Sequence, residues 1–286
     1  MDKRDYLVFS EGKIGPMRLK NRIVRSATVD AYRKKDTDKC GDQTIGTHAK
    51  LAQGGVGLII TGDISAALME LVQRFAAVIA EVKTAGFYGF ELHAVHGHAL
   101  LSYFLSPYTN RRTDEYGGSA GNRTRIIREI IDGAREHVGN FPIPAKINCN
   151  DNVKGGIDID SFPEFAGAIV DCGVDAIEIS GGSHHCLVKS EAELGFPPVP
   201  VPEAHTRIDS VAKQSYFHAL AEAINLDTPV ILVGGNRDIE RMESAVKSGS
   251  IDFFALCRPL INDPDLLNRW HRNSDRLATS SHTAGT

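Results

Sequence analysis

The sequence has no long apolar run and no sign of an export signal. None of its apolar stretches approaches the roughly 20 residues that a membrane-spanning helix needs. The first residues, MDKRDYLVFSEGK, contain no apolar segment followed by a small-residue cleavage site. The sequence therefore predicts a cytoplasmic protein that does not insert into a membrane.

An excess of basic charge is also absent. The 32 basic and 36 acidic residues are spread through the chain and give a formal net charge of -4. Nucleic-acid binding needs a basic patch or stripe, which this distribution does not provide. A small or neutral molecule is the predicted partner, and the composition is compatible with an oligomer.

The five cysteines are too scattered for a disulfide framework or a metal cluster. The closest two, Cys172 and Cys186, are fourteen positions apart. Zinc and iron–sulfur motifs place their cysteines within a few positions of one another. We expect buried, reduced thiols and no bound metal.

What the 286 residues do contain is a repeating pattern of short apolar runs and amphipathic segments. The pattern predicts seven strands, with a loop and a helix between each strand and the next. The predicted strands are RIVRSA (22–27), VGLIIT (56–61), GFELHA (89–94), PAKINC (144–149), DAIEIS (175–180), PVILVG (229–234) and DFFALC (252–257). The predicted helices cover residues 44–53, 68–85, 121–138, 160–172, 209–225 and 238–248.

The strands are apolar on both faces, which is typical of a parallel sheet covered by helices on its faces. No GxGxxG motif follows any of them, so an open dinucleotide-binding sheet is disfavoured. The predicted fold is α/β, a TIM-type (β/α) barrel that lacks one helix–strand unit. We predict one domain over residues 1–272, a loop at 195–205 that acts as a lid, and a polar tail at 273–286.

Two histidines lie at the carboxyl end of the third predicted strand. In a parallel barrel these strand ends build the active site. His93 ends its strand and His96 follows three positions later. The N–H groups of both imidazoles can therefore hydrogen-bond to one oxygen atom of a ligand. Two alternatives remain open: hydrogen-bonded loop histidines without a functional role, and a metal site formed by the pair.

Lys146 lies inside an otherwise apolar strand, where an isolated charge is costly. An anionic or electron-rich cofactor would compensate that cost. An interior ion pair with Glu91 or Glu178 would do the same. A third alternative is an aldolase-type Schiff base on Lys146, which requires a desolvated amine with a lowered pKa.

Glycine pairs and an arginine follow the last three predicted strands. Gly181 and Gly182 follow one strand, Gly234 and Gly235 end the next, and Arg258 follows the last. Glycine lets backbone N–H groups approach a ligand, and arginine supplies a bidentate positive charge. Barrels of this type bind phosphate after strands seven and eight, so we predict a phosphate-bearing ligand.

Several long segments resemble the old yellow enzyme family of FMN-dependent NADH:flavin oxidoreductases and ene-reductases. The most specific is ELHAVHGHALLSYFLSPYTNRRTDEYGGSAGNRTRIIREIIDGAR at 91–135. The others occur in the family's order and are KIGPMRLKNRIVRSAT, KINCNDNVKGG, VDAIEISGG, PVILVGGNRDIE and ALCRPLINDPDLLNRW. The resemblance covers residues 8 to 272 and implies an FMN-binding (β/α)8 barrel, reduced by NADH or NADPH, that reduces the C=C bond of a conjugated carbonyl compound.

The resemblance also implies roles for individual residues. His93 and His96 match the positions that hydrogen-bond the substrate's carbonyl oxygen, and His98 stands where the family has its tyrosine proton donor. Lys146 matches a cation beside the flavin ring. The remaining matched cofactor positions are Ser26, Ala27, Thr28 and Gly62 under the ring and Gly182, Gly234, Gly235 and Arg258 towards the phosphate.

The chain departs from the family pattern at three further places. After GLIITGDISA one helix and one strand are missing, and with them a glutamine that contacts the flavin. Cys257 replaces the glycine before the phosphate arginine. The chain ends in LATSSHTAGT where larger relatives continue with a cysteine-rich motif, so we expect neither an iron–sulfur cluster nor a second flavin domain. Because of the missing unit, a non-catalytic remnant with weak or no flavin binding remains the alternative function.

Overall fold

All seven predicted strands pair in a single parallel sheet in the computed structural model. The structure describes residues 3–27, 42–60, 71–97, 99–185, 190–194 and 208–272. A two-stranded antiparallel hairpin, β1 and β2, precedes the sheet. The strands are β1 Gly12–Ile14, β2 Met17–Leu19, β3 Ile23–Arg25, β4 Leu58–Ile59, β5 Leu92–Ala94, β6 Ala145–Asn148, β7 Ile177–Ser180, β8 Val230–Val233 and β9 Phe253–Leu256.

The large sheet curls into a barrel. Its strand order is β4-β3-β9-β8-β7-β6-β5. In a flat sheet β3 and β6 would be roughly 19 Å apart, because neighbouring strands are separated by about 4.8 Å. Yet the Nζ atom of Lys146 in β6 donates a hydrogen bond of 2.8 Å to the Oγ atom of Ser26, which directly follows β3. The predicted TIM-type barrel with seven strands is therefore confirmed.

The missing unit leaves a gap in the barrel. Within the described residues, β4 and β5 are the two ends of the sheet order, and each pairs with one neighbour. The eighth strand of a closed barrel would lie between them. This is the position at which the sequence predicts that a helix–strand unit is absent.

Helices follow the sheet strands and cover the outside of the barrel. They are α1 Asp42–Gln53, α2 Leu71–Thr84, α3 Leu100–Leu105, α4 Ala120–Val138, α5 Phe162–Val170, α6 Glu191–Leu194, α7 His218–Glu222, α8 Ile239–Ser248, α9 Arg258–Asn262 and α10 Leu266–His271. The ends of α8 follow from its sequence, since the Asp238 side chain accepts a hydrogen bond from the N–H of Glu240 and Gly249 ends the helix with a φ of 78°. Among the described residues, no helix is long and apolar enough to cross a membrane.

Apolar side chains fill the lower end of the barrel interior. Ile14 and Leu19 of the β1–β2 hairpin pack against Val24, Ile231 and Phe253, which the pleat of the sheet turns inward. The hairpin thus closes the amino-terminal end of the barrel, which leaves the opposite end for polar side chains. A larger apolar core lies between the sheet and the surrounding helices.

One predicted helix is wrong and several elements were not predicted. Over 209–225 the structure has only a short 3-10 turn at Val211–Lys213 and the five-residue helix α7. Ser215 interrupts the helix with a φ of 49°, and its N–H and Oγ bond to Gly235 and Asn236 after β8. The hairpin and helices α3, α6, α9 and α10 are short, so periodicity did not reveal them. The predicted lid at 195–205 and tail at 273–286 lie outside the described residues.

Candidate active site

The carboxyl ends of β3 and β5 to β9 meet at one end of the barrel, which we call the mouth. Nine of the twelve predicted site residues are described, and each lies on the inner face of the barrel or in the loops at the mouth. His98, Thr28 and Gly62 lie outside the described residues. Seven of the nine form three groups: a histidine pair, an interior charged layer and a pocket beyond β8 and β9; Gly182 and Ala27 lie apart from these groups.

The structure brings His93 and His96 together after β5. Their ring centroids are 5.9 Å apart with an interplanar angle of 55°, and both side chains are half-buried. His96 has a φ of 66°, and the turn that this angle creates returns its ring towards His93. The structure thus brings the two imidazoles together, and their binding of one common acceptor stays a prediction.

A layer of polar side chains crosses the barrel interior one level below the mouth. The register of the sheet pairs His93 with Lys146 and Lys146 with Glu178 on adjacent strands. Lys146 is 4% exposed and Glu178 is 0% exposed. Because these residues alternate with apolar neighbours that face the helices, their side chains point to the barrel axis.

Lys146 is held in a buried ion pair. Its Nζ atom lies 2.8 Å from Glu178 Oε1 and 2.8 Å from Ser26 Oγ, and Ser26 Oγ also donates to Glu178 Oε1 at 2.7 Å. This is one of the alternatives that the sequence left open. A lysine has three N–H donors, so two of them are used here.

Glu91 and Glu178 interact inside the barrel, and their pKa values shift in opposite directions. Burial raises the pKa of Glu91 well above its usual range, and the charge of Glu178 raises it further. Burial has the same effect on Glu178, but Lys146 and hydrogen bonds from Glu91, Lys146 and Ser26 outweigh it and lower the pKa of Glu178. Glu91 Oε1 and Glu178 Oε2 are buried and accept no hydrogen bond from an N–H or hydroxyl group among the described residues. These directions favour a protonated Glu91 beside an ionised Glu178 and an ionised Lys146.

The charged layer disfavours a Schiff-base lysine. Burial opposes the charge of Lys146, yet Glu178 and Glu91 outweigh this effect and raise its pKa. A Schiff-base lysine needs the opposite shift, because the neutral amine is the nucleophile. The aldolase-type alternative therefore has no support from the geometry.

A pocket of about 420 Å³, partly open to solvent, lies beyond β8 and β9. Gly234, Gly235 and Arg258 line it as predicted, and so does Cys257. The glycines have φ values of 106° and 73° and lie against the ring of Tyr216, where a Cβ atom on either would come within 2.9 Å of a ring carbon. Only glycine fits this backbone, so the local structure by itself requires the pair.

A second guanidinium lines this pocket and was not predicted. Burial lowers the pKa of Arg237, and the nearby charge of Arg258 lowers it further. Its Nη1 atom donates a hydrogen bond of 2.7 Å to the Ile208 carbonyl. Arg237 directly follows the GGN segment, so its position next to a predicted phosphate loop was a signal in the sequence.

The two other predicted positions, Gly182 and Ala27, are ordinary loop positions at the mouth. Gly182 has a φ of 89° and donates its N–H to Asn150 O at 2.7 Å, so this amide already has an acceptor. Ala27 follows Ser26 at the mouth and is half-buried. Among the described residues, no three His, Cys, Asp or Glu side chains are grouped so that they could hold a metal ion.

The mouth has donors that suit both the phosphate and the ring of an FMN molecule. The described lining of the pocket has two guanidiniums, two glycines and no carboxylate, which suits a phosphate dianion. The interior layer supplies a cation, Lys146, and a buried hydroxyl, Ser26, for the ring end. The pairing of Lys146 with Glu178 reduces the net positive charge at that end.

Comparison with known proteins identifies the family. The chain matches the model of the NADH:flavin oxidoreductase / NADH oxidase family over residues 64–276. The NADH-dependent flavin oxidoreductase iccE of Talaromyces variabilis is 38% identical over 199 residues, which is 68% of this chain and 46% of that protein. The matched part spans between 25% and 52% of the length of further curated relatives.

Solved structures share the fold along nearly the whole chain. The complex of 2-naphthoyl-CoA reductase with 2-naphthoyl-CoA superposes with a TM-score of 0.80 at 21% identity over 96% of this chain and 53% of that chain. The old yellow enzyme homologue from Zymomonas mobilis gives a TM-score of 0.68 at 17% identity over 96% and 94% of the two chains. Since the family model covers well over half of the 286 residues, the protein belongs to the NADH:flavin oxidoreductase / NADH oxidase family, whose cofactors are FMN and NAD(P)H.

Proposed function

We propose that residues 1–272 form an FMN-binding domain that uses NADH or NADPH to reduce the C=C bond of α,β-unsaturated carbonyl compounds. The observation that carries this proposal is the meeting of three groups at one mouth: the histidine pair, the Lys146 layer and the two-guanidinium pocket. FMN, when bound, supplies the hydride. Gly234, Gly235 and Arg258 would hold its phosphate, and Ser26, Ala27 and Lys146 its ring.

The histidine pair acts on the substrate. N–H groups of His93 and His96 would bind the carbonyl oxygen and draw electron density from the conjugated double bond. Negative charge develops on this oxygen as the double bond is reduced, so donors already in place stabilise the transition state more than the ground state. His98 is the proposed proton donor, because an imidazole can release a proton near neutral pH.

The first experiment is an absorbance spectrum of the purified protein before and after incubation with FMN and desalting. Retained flavin bands, followed by NAD(P)H-dependent turnover of an enone, are the expected result. A protein that stays colourless after reconstitution would refute the proposal. The alternative, a non-catalytic remnant, is favoured by the gap between β4 and β5 and predicts this second outcome.

The histidine pair is tested separately by ligand affinity. We expect a phenol to bind through its oxygen to the same two donors as the substrate carbonyl. The combination of His93→Ala with His96→Ala should therefore abolish phenol binding while the flavin content stays intact. His137→Ala, on the exposed side of α4, is the matched control. Unchanged phenol affinity in the double variant would remove the oxygen-binding role of the pair.

A further inference from the structure

The backbone of His96 is in a conformation that residues with a side chain rarely adopt. Its φ of 66° is in the left-handed region, and only Asn152 and Ser215 share this property among the described residues other than glycine. Such residues persist when their surroundings hold them in place, and they are concentrated at functional sites. The question is therefore which groups hold His96.

Two hydrogen bonds fix the peptide groups of His96. Its carbonyl oxygen accepts from the N–H of His184, in the loop after β7, at 2.7 Å. Its own N–H donates to Oδ1 of Asn148, the last residue of β6, at 3.3 Å. Residues at and beyond the carboxyl ends of β6 and β7 therefore hold the turn that carries the imidazole.

The direction of the Asn148 amide is set by its other partners. Nδ2 of Asn148 donates to Asp151 Oδ1 at 2.7 Å and to the carbonyl of Gly182 at 3.2 Å. A carboxylate and a carbonyl only accept hydrogen bonds, so the NH2 group must face them. The amide oxygen is consequently the atom presented to the N–H of His96.

Asp151 is itself fixed at the centre of a buried network. It is 2% exposed, and its second oxygen, Oδ2, accepts from Ser106 Oγ at 2.6 Å and from the N–H of Ile157 at 2.8 Å. Ser106 ends α3, and Ile157 lies in the loop after β6. The carboxylate thus ties the loops after β5 and β6 together and leaves Oδ1 directed at Asn148.

We propose that Asp151 is a positioning residue for His96. It fixes the direction of the Asn148 amide, Asn148 holds His96 in the left-handed conformation, and this conformation places the His96 imidazole beside that of His93. The inference rests on the proposed function for the role of His96 in binding the carbonyl oxygen. The positioning itself depends only on the hydrogen bonds described above.

Asp151→Asn is the decisive substitution. An asparagine at 151 has one accepting oxygen, and we expect Ser106 and the N–H of Ile157 to keep donating to that oxygen. The NH2 group of the new side chain would then face the NH2 group of Asn148. We expect Asn148 to turn its amide over and to present a donor to the N–H of His96. The ¹³Cα and ¹³Cβ shifts of His96 should then move from left-handed towards extended values, its amide should exchange faster, and phenol affinity of the FMN-loaded protein should fall at least tenfold.

Exchanging the side chains at 148 and 151 distinguishes a loss of positioning from a general loss of structure. In the double variant Asp151→Asn with Asn148→Asp, the carboxylate at 148 can accept both from the NH2 group at 151 and from the N–H of His96, although the Gly182 carbonyl loses its donor. We expect it to recover the His96 shifts and most of the phenol affinity. Asp158→Asn makes the same change at an exposed position of the same loop and should alter neither measurement.

Each result decides the proposal. His96 shifts and phenol affinity that stay within twofold of the wild type in Asp151→Asn would overturn it, as would a folded double variant that recovers neither. If Asp151→Asn does not fold, Asn148→Ala removes the acceptor of the His96 N–H directly. Unchanged His96 shifts in Asn148→Ala would also contradict the proposal. Wild-type protein that binds no phenol would refute the proposed function, while the His96 shifts still test the positioning.

Discussion

At the scale of single residues, the interior charges determine how the barrel responds to pH and substitution. Glu178 and Lys146 are buried, Glu91 is half-buried beside them, and the charges balance when Glu91 keeps its proton, which its raised pKa favours. Removing one member of a buried ion pair costs more than removing both, because the remaining charge loses its partner in a medium that solvates it poorly. Two predictions follow from this balance.

The first concerns Glu91→Gln. The folded pKa of Glu91 is raised, so the native state keeps a proton that the unfolded chain releases, and stability falls as pH rises above the ordinary glutamate range. The slope is up to about 1.4 kcal/mol per pH unit for one group. Glutamine imitates the protonated acid and does not titrate, so we expect the variant to exceed the wild type in urea resistance at pH 7 and to lose this advantage towards pH 5.

Glu136→Gln, on the exposed side of α4, serves as the control for a general change in net charge. It should follow the wild type at both pH values. A Glu91→Gln variant that is less stable than the wild type at pH 7 would show that Glu91 is ionised in the native state.

The second concerns Lys146. Lys146→Met leaves the Glu178 carboxylate buried without its cation and should cost about 3–5 kcal/mol of unfolding free energy. Lys146→Met with Glu178→Leu removes both charges and should cost clearly less. Urea denaturation of the three proteins measures the difference, and equal losses in the single and double variants would contradict the ion pair.

At the scale of secondary-structure elements, the sequence predicts the sheet strands well and the element before β8 poorly. A strand buried on both faces consists of an apolar run whose pattern is local, so β3 to β9 could be located in the sequence. The segment over 209–225 has a helical pattern, but its Ser215 and Tyr216 are held by the glycine pair after β8, which is distant in sequence. The periodicity of a short segment gives no information about a contact with residues that are distant in sequence.

Gly235→Ala tests this contact. The new Cβ atom would require a φ of 73° and would approach the ring of Tyr216 to 2.9 Å, so we expect a loss of roughly 1–3 kcal/mol and weaker FMN retention. Gly167→Ala in α5 is the matched control, because no atom lies within 4 Å of its added Cβ. Calorimetry should show the control to be more stable by about 0.5–1 kcal/mol, since alanine favours a helix. A neutral Gly235→Ala would mean that Tyr216 does not pack on the glycine pair.

At the scale of the whole molecule, the strand order of the described residues has two ends, β4 and β5, with a gap between them. β8 is at the centre of this order, and β4 pairs through only two residue pairs, Val24 with Leu58 and Arg25 with Ile59. Amide exchange should therefore be slowest in β7 and β8, faster in β5, and fastest in β4. Hydrogen exchange followed by mass spectrometry measures this order, and equal protection of β4 and β8 would show that β4 has a second partner.

More of the architecture than of the site can be predicted from the sequence. The seven strands, the position of the missing unit and the charged partners of Lys146 follow from local patterns and from the family resemblance. The network of Asp151, Asn148 and His96 does not, because it depends on how three loops meet in space. Individually, an Asn at a strand end and an Asp three residues later are ordinary loop residues.

The pairing of β3 with β9 also determines the order in which the chain can fold. Each of β5 to β8 pairs with the strand that follows it in sequence, so this part of the sheet can form while the protein is being synthesised. β3 and β4 are made first, yet they join the sheet only when Ile23 can pair with Phe254. A nascent chain that stops before β9 therefore has two sheet fragments and no barrel mouth.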